Sequence, residues 1–242
     1  MIKFENTEVM NFEGAIRGMR NPLNSWDKSD SYIEENCNEC HHKSDYLVCN
    51  YNPIHKCLDV VIGDNDLALM KKLIKAGSDH RKFMRQILVS VDITAPLYWW
   101  KEFDTYKVAT VSNSCSTMHK IHDKEFTIED FSYENISHDL DDLNHFIYEC
   151  RPITPIGMLR IIIQELNFCR EQYLKTKNKK YWWSMIQLLP SSYNQKRTIT
   201  LNYETLYNIY GSRRNHKLDE WSIGFMEWID SLPYSEELIK FK

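Results

Sequence analysis

The stretch RQILVSVDITAPLYWWKEFDTYKV, residues 85–108, changes its period half-way along. Over its first nine residues Ile87, Val89, Val91 and Ile93 fall on one face, while Gln86, Ser90 and Asp92 fall mostly on the other. That two-residue alternation is the pattern of a half-buried strand. Pro96 suits a first helical turn, so the aromatic segment that follows reads as a helix. A strand feeding straight into a helix makes the chain a mixed α/β fold rather than a bundle or a sandwich.

Helical spacing dominates on either side of this stretch. Upstream, Leu67, Met70, Leu73 and Ile74 in residues 64–76 lie on one helical face, and Gly77 supplies a C-terminal stop. Downstream comes a Ser-rich loop, SNSCSTMHK (residues 112–120). Leu143, Phe146, Ile147 and Cys150 then sit at i, i+3, i+4 and i+7, and residues 156–173 carry a continuing apolar stripe. Helices at about 181–189, 202–214 and 218–229 follow, separated by LPSSYNQ and RRNHK. With no repeat, low-complexity tract or strong linker, the expectation is one domain over 1–242, richer in helix than in strand.

Composition narrows the function. The chain has 242 residues, a formal charge of −4, 43% hydrophobic residues and 13% aromatics, enough to bury a sizeable core. So near-neutral, slightly acidic a balance lacks the surplus of Lys and Arg on one face that covering a nucleic-acid backbone requires. No run reaches the ~18 apolar residues that cross a bilayer, and the first twenty residues carry acids where a secretory leader is apolar. The expectation is a soluble, cytoplasmic protein with no membrane partner and no nucleic-acid polymer partner. Only 7 of 242 residues are Gly, against a usual ~7%, and no GxGxxG or GxxxxGK[ST] loop is present.

Seven cysteines, an odd number, argue against a disulfide framework. Four of them, Cys37, Cys40, Cys49 and Cys57, crowd together with His41, His42 and His55 in a segment at about 34–60 whose texture marks it as an insertion. The ligand types and density suit tetrahedral Zn²⁺, although the spacing between pairs is irregular. Structural zinc and a surface insertion with reduced thiols both remain open.

Two segments together resemble the flavin-dependent thymidylate synthases. The first runs from Leu189-Pro190 through Tyr193 to a helix opening at Asn202 with Leu206, Asn208 and Arg213, then His216 and Asp219-Glu220-Trp221. The second is residues 77–121, where strand, aromatic helix and Ser-rich loop keep the family's register. On that register the three places of the family's RHR signature hold Thr105, Tyr106 and Lys107. The loop's Glu, Ser and Arg places hold Asn113, Cys115 and Thr117, and the Arg before Leu-Pro is Ile186.

The resemblance implies a central, mostly antiparallel sheet flanked by helices, FAD as cofactor, a deoxyuridylate-like nucleoside monophosphate as substrate, and a homo-oligomer, specifically a tetramer. It implies His80, Asn202 and Asn208 as cofactor contacts, Arg213 as the catalytic and nucleotide-contacting cation, and Lys107 with Ser112, Asn113, Ser114, Cys115, Ser116 and Thr117 as nucleotide-binding. It implies reductive one-carbon transfer forming dTMP. A catalytically silent oligomer that binds or sequesters a nucleotide is the rival reading, because most of the charge that grips phosphate is replaced.

The residues give their own account of these positions. Arg213 continues the stripe of Leu206 and Ile209, so its guanidinium needs an anion, either a ligand or a salt bridge to Asp219 or Glu220. Asn202 suits a helix cap, whereas Asn208 has no local explanation. The hydroxyls and backbone N–H groups of residues 112–117, with Lys107 and Lys120 nearby, can hold a phosphate or form plain turns. Cys115 reads as a packing residue and Trp99 with Trp100 as core. No nucleophile elbow, HExxH or paired-carboxylate constellation is present, which fits chemistry carried by a cofactor. Ten Phe, fourteen Tyr and seven Trp exceed what so helical a core readily encloses, and the surplus favours self-association.

Overall fold

The structure is a computed structural model that describes residues 2–35, 58–138, 146–148 and 151–241. The first strand and helix, β1 (Lys3–Met10) and α1 (Phe12–Arg20), precede β2 (Tyr32–Glu35) and β3 (Leu58–Val61). Then come α2 (Asp64–Lys75), β4 (Leu88–Pro96), α3 (Leu97–Phe103) and β5 (Val111–Ser114). The short β6 (Phe146–Tyr148) and β7 (Arg151–Ile153) lead to α4 (Pro155–Thr176) and α5 (Lys179–Leu188). The chain ends with β8 (Asn194–Asn202), α6 (Tyr203–Arg213), a π-helical segment Glu220–Phe225, α7 (Met226–Asp230) and a second π-helical segment Ser235–Ile239. The main sheet has the order β1-β4-β8-β5, and the architecture is an antiparallel sheet flanked by helices, as expected.

By backbone proximity the chain divides into two compact units. One comprises Met1–Glu8, Ser90–Thr200 and Arg213–Trp228; the other comprises Val9–Val89, Leu201–Ser212 and Ile229–Lys242.

In the first unit α4 begins where Thr154 Oγ1 accepts the Gly157 N–H at 3.1 Å and Pro155 fills the first turn. Its stripe of Ile156, Leu159, Ile163, Leu166 and Cys169 packs with Ile121, Phe126, Phe131 and, from α5, Met185. A second, aromatic core surrounds Trp221, whose ring centroid is 4.4 Å from that of Trp99. Phe4 stacks on Trp228 at 4.8 Å. Trp99 and Trp100 are 0% and 1% exposed, so they are core, as the sequence indicates.

In the second unit α1 buries Phe12, Ala15, Ile16 and Met19, and α2 buries Met70 and Ile74. The Phe12 ring meets Tyr203 and Tyr234 edge-on at 5.6 and 5.8 Å. Burial pushes the Tyr203 phenol well above its ordinary pKa, and its hydroxyl donates to the Pro233 carbonyl at 2.7 Å. Gly77 ends α2 at φ +101°, a conformation open to glycine.

Several expectations shift. The alternating strand begins at Leu88 rather than Arg85, which lies in a 3₁₀ turn (Lys82–Arg85), and Pro96 closes the strand and caps α3 instead of entering it. Phe146 and Ile147 belong to no helix: they pair with Ile153 and Pro152 in a hairpin. Pro152 disfavours the helical conformation at Arg151, so a helix there had no continuation. Leu143 and Cys150 lie outside the described residues. Part of the Ser-rich loop is β5, antiparallel to β8 with Ser112 opposite Ile199 and Ser114 opposite Arg197. Neither β1 nor β8 was signalled by alternation.

Candidate functional site

Arg213 stands in the last turn of α6, where the carbonyl ends of the helix favour a cation. Its Nη1 lies 2.9 Å from Glu102 Oε2, and its Nε donates to the Tyr106 hydroxyl at 2.9 Å. The guanidinium also lies 5.2 Å from the centre of the Trp221 ring. The carboxylate that balances Arg213 is therefore Glu102 of α3, neither Asp219 nor Glu220. Glu220 instead accepts from the Tyr98 hydroxyl, and burial followed by that carboxylate pushes the Tyr98 phenol far above its ordinary value.

The chain then turns back on itself. The His216 N–H donates to the Arg213 carbonyl at 3.0 Å, and Leu218 N–H donates to His216 Nδ1 at 3.1 Å. An accepting Nδ1 puts the imidazole proton on Nε2, which faces Glu102 Oε2 at 3.3 Å. Arg213 and His216 thus converge on one carboxylate, and Tyr106 is tied to the cluster through Arg213. The family's RHR places contribute Tyr106 to this cluster, while the Thr105 hydroxyl donates to the Glu102 carbonyl at 2.7 Å and Lys107 is exposed.

The Ser-rich run is an edge. Ser112, Asn113, Ser114, Cys115 and Ser116 are exposed and Thr117 is half-buried. Ser116 Oγ accepts the Met118 and His119 N–H groups at 3.3 and 2.8 Å, the local use of a turn serine. Lys120 pairs with Asp123 at 3.1 Å. The run offers hydroxyls and an exposed Lys107, with little fixed positive charge.

The candidate cofactor residues fall in the other unit. Asn202, 3% exposed, caps α6: its Oδ1 accepts the Thr205 N–H at 3.0 Å and the Thr205 hydroxyl at 3.2 Å. His80 is exposed just after the Gly77 stop. Beside it Arg81 donates to Glu204 at 2.9 Å, reaches Asn208 Oδ1 at 3.5 Å and covers the Tyr207 ring at 4.5 Å. Arg85 also pairs with Glu204 and donates to the Ser78 carbonyl at 3.1 Å. Burial alone would raise the Glu204 carboxyl, but hydrogen bonds from Arg85 and Arg81 hold it below the usual range. Asn208, unexplained locally, joins this cluster and helps line a hollow of about 150 Å³. Sequence reasoning missed Glu204 and Arg85; the i, i+4 spacing of Arg81 and Arg85 was the available signal.

These residues fit a flavin nucleotide in part. The His80 imidazole and the Asn208 amide remain available for hydrogen bonds, and Arg85, 46% exposed, is the cation with room for a phosphate. Asn202 is committed to its helix. Among the described residues no group of His, Cys, Asp and Glu is placed to hold a metal ion. Cys37, Cys40, Cys49 and Cys57 lie outside the described residues. None of the described helices is long and apolar enough to cross a membrane.

No family model matches the sequence, and no curated protein matches it. Solved structures do match. Thymidylate synthase X (ThyX) from Helicobacter pylori, solved with FAD and dUMP, superposes with a TM-score of 0.59 at 13% identity, covering 100% of this chain and 98% of its own. A second complex of the same flavin-dependent enzyme with FAD and dUMP gives 0.59 at 12% identity, with 99% of each chain covered. The UMP/dUMP methylase PolB from Streptomyces cacaoi, bound with 5-Br UMP, gives 0.50 at 13% identity over 100% of this chain and 95% of its own. The chain therefore has the fold of these enzymes along its whole length.

Proposed function

We propose that the protein binds FAD and a deoxyuridylate-like nucleoside monophosphate and carries out reductive one-carbon transfer of the thymidylate synthase kind, as a homo-oligomer. The observation that carries this reading is the fold, matched end to end by structures described as complexes of FAD with dUMP. Bound flavin would supply the electrons and the carbon-carrying centre, while the protein supplies orientation and charge. His80, Asn208 and Arg85 would hold the cofactor. Arg213, steadied by Tyr106 and Trp221, would face the nucleotide phosphate.

One observation favours a second reading, nucleotide binding without methyl transfer. Arg213 is already balanced by Glu102, and the signature places hold Thr105, Tyr106 and Lys107. Both readings are tested by the absorbance spectrum and mass spectrometry of the purified protein. A yellow protein with the absorption bands of oxidised flavin, whose reduced form is reoxidised in the absence of oxygen only when dUMP and a one-carbon donor are both present, supports the first. A colourless protein that carries a pyrimidine nucleotide supports the second, and a colourless protein with no small molecule overturns both.

A further inference from the structure

Asp66, at the start of α2, is 0% exposed and organises a buried polar network in the unit that contains α1. Its Oδ2 accepts the hydroxyls of Ser29 and Ser31 at 2.7 and 2.6 Å and the backbone N–H groups of Asp30 and Ser31. Its Oδ1 accepts Arg20 Nε at 2.7 Å. Arg20 is itself 4% exposed, and its Nη1 donates to the Ser25 carbonyl at 3.2 Å. Two of its three nitrogens are thus fixed, which fixes the plane of the guanidinium and the direction of the third. That third nitrogen, Nη2, is buried and has no hydrogen-bond partner among the described residues. Leaving a buried donor unpaired is costly, so its place in a network whose other donors are satisfied asks for an acceptor.

Arg20 lines a cavity of about 410 Å³, within the ~300–1,000 Å³ of small-molecule sites. Arg17, one turn back on α1, lines it as well and has an exposed side chain with no carboxylate partner among the described residues. Trp26 and Tyr32 complete the wall and are 53% and 56% exposed. The Trp26 indole is held in place by its N–H, which donates to Asn21 Oδ1 at 2.8 Å. Ser29 and Ser31 also line the cavity, but their hydroxyl protons are spent on Asp66, so the guanidinium groups are the principal donors offered.

We propose that this cavity binds a small planar ring carrying one anionic group, a carboxylate or a phosphate, with the anion on Arg17 and the Arg20 guanidinium and the ring against Trp26 and Tyr32. Glu13, the acid among the described lining residues, opposes the anion and limits its affinity. The site is built from α1, β2, β3 and the turns between α1 and β2, and none of its described residues belongs to the proposed FAD or nucleotide sets.

Calorimetric titration of the full chain with phenyl phosphate, benzoate and neutral benzyl alcohol tests this. At least one anion should bind tenfold or more tighter than benzyl alcohol, and the tighter anion identifies the head group. Arg17→Ala and Trp26→Ala, both at exposed positions, should each weaken that anion at least fivefold without moving the melting temperature, and Glu13→Gln should tighten it. Arg213→Ala should leave it unchanged, so failure of the proposed nucleotide reading does not touch this one. Equal binding of benzyl alcohol, no heat from either anion at millimolar concentration, or unchanged affinity in both variants overturns the proposal.

Discussion

Glu102 Oε2 lies 2.9 Å from Arg213 Nη1, an ion pair that joins α3 to the last residue of α6. The pair sets up opposite outcomes for its two members. Arg213→Ala is expected to weaken binding of deoxyuridine monophosphate by roughly 1.5–3 kcal/mol, the range for hydrogen bonds to charged groups. Glu102→Gln removes a competitor of the phosphate and should strengthen binding by about 1 kcal/mol. Titration calorimetry of both variants measures this, and weakening by Glu102→Gln would mean that the carboxylate positions Arg213 rather than competing for it.

Asp66→Asn should be among the most damaging substitutions in the chain. It leaves the Arg20 guanidinium buried without its counter-charge, a loss of ~3–5 kcal/mol in comparable buried pairs. Burial alone would raise the Asp66 carboxyl, but the hydroxyls of Ser31 and Ser29 and the Arg20 guanidinium hold it below the ordinary aspartate value of 3.8. A carboxyl lowered on folding stabilises at pH above that ordinary value, and the contribution disappears as pH falls through the folded pKa. Urea melts of wild type and Asp66→Asn should therefore differ most at neutral pH and converge in acid.

Glu204→Gln leaves Arg81 and Arg85 facing one another's charge without a carboxylate between them. If Arg85 meets a cofactor phosphate, this variant should retain or tighten flavin while losing thermal stability. Arg85→Ala should lose flavin with a smaller effect on the melting temperature, because its side chain is nearly half exposed. The flavin-to-protein absorbance ratio of each purified variant, set beside its melting curve, separates the two effects. Equal flavin content in Arg85→Ala and wild type would remove Arg85 from the cofactor set.

Light scattering coupled to size exclusion should report a homo-oligomer, with four times the chain mass of 29.0 kDa as the expected value and two times the next. Exposed apolar side chains such as Val108, Val111 and Trp183, at 86%, 69% and 48%, are the surface such an assembly would cover. A 29.0 kDa species at micromolar concentration contradicts the oligomer.

Central elements were legible because burial wrote a clean period into them. Val89, Val91, Ile93 and Ala95 are all 0% exposed along β4, a strand with a neighbour on each side. By contrast β8 is also interior to the sheet, yet its inward positions include Gln195 and Arg197. Those polar groups are satisfied out of sequence sight: Gln195 donates to the Cys115 carbonyl, and Arg197 lies over Trp100 and pairs with Asp104. At the edge, β1 is mostly exposed and holds Asn6 at φ 52°, so it shows no alternation. The same limit governs the site. Arg213 announced its need for an anion from helical spacing alone, but the choice of Glu102 over Asp219 or Glu220 depends on α3 folding back across more than a hundred residues. Asn202 was readable as a cap because that bond is local.

The aromatic core makes the two units optically unequal. Trp99 lies 4.9 Å from Trp100 and 4.4 Å from Trp221, and Trp182 lies 4.8 Å from Trp183, close enough for their excited states to couple. With Trp228 these six indoles fall in one unit, whereas the other holds Trp26 alone, half-open to water. The tryptophan bands of the near-ultraviolet circular dichroism will therefore report chiefly the packing of the first unit. Unfolding of the second unit could pass unseen by that signal, and a transition followed by tryptophan optics alone would be mistaken for the melting of the whole protein.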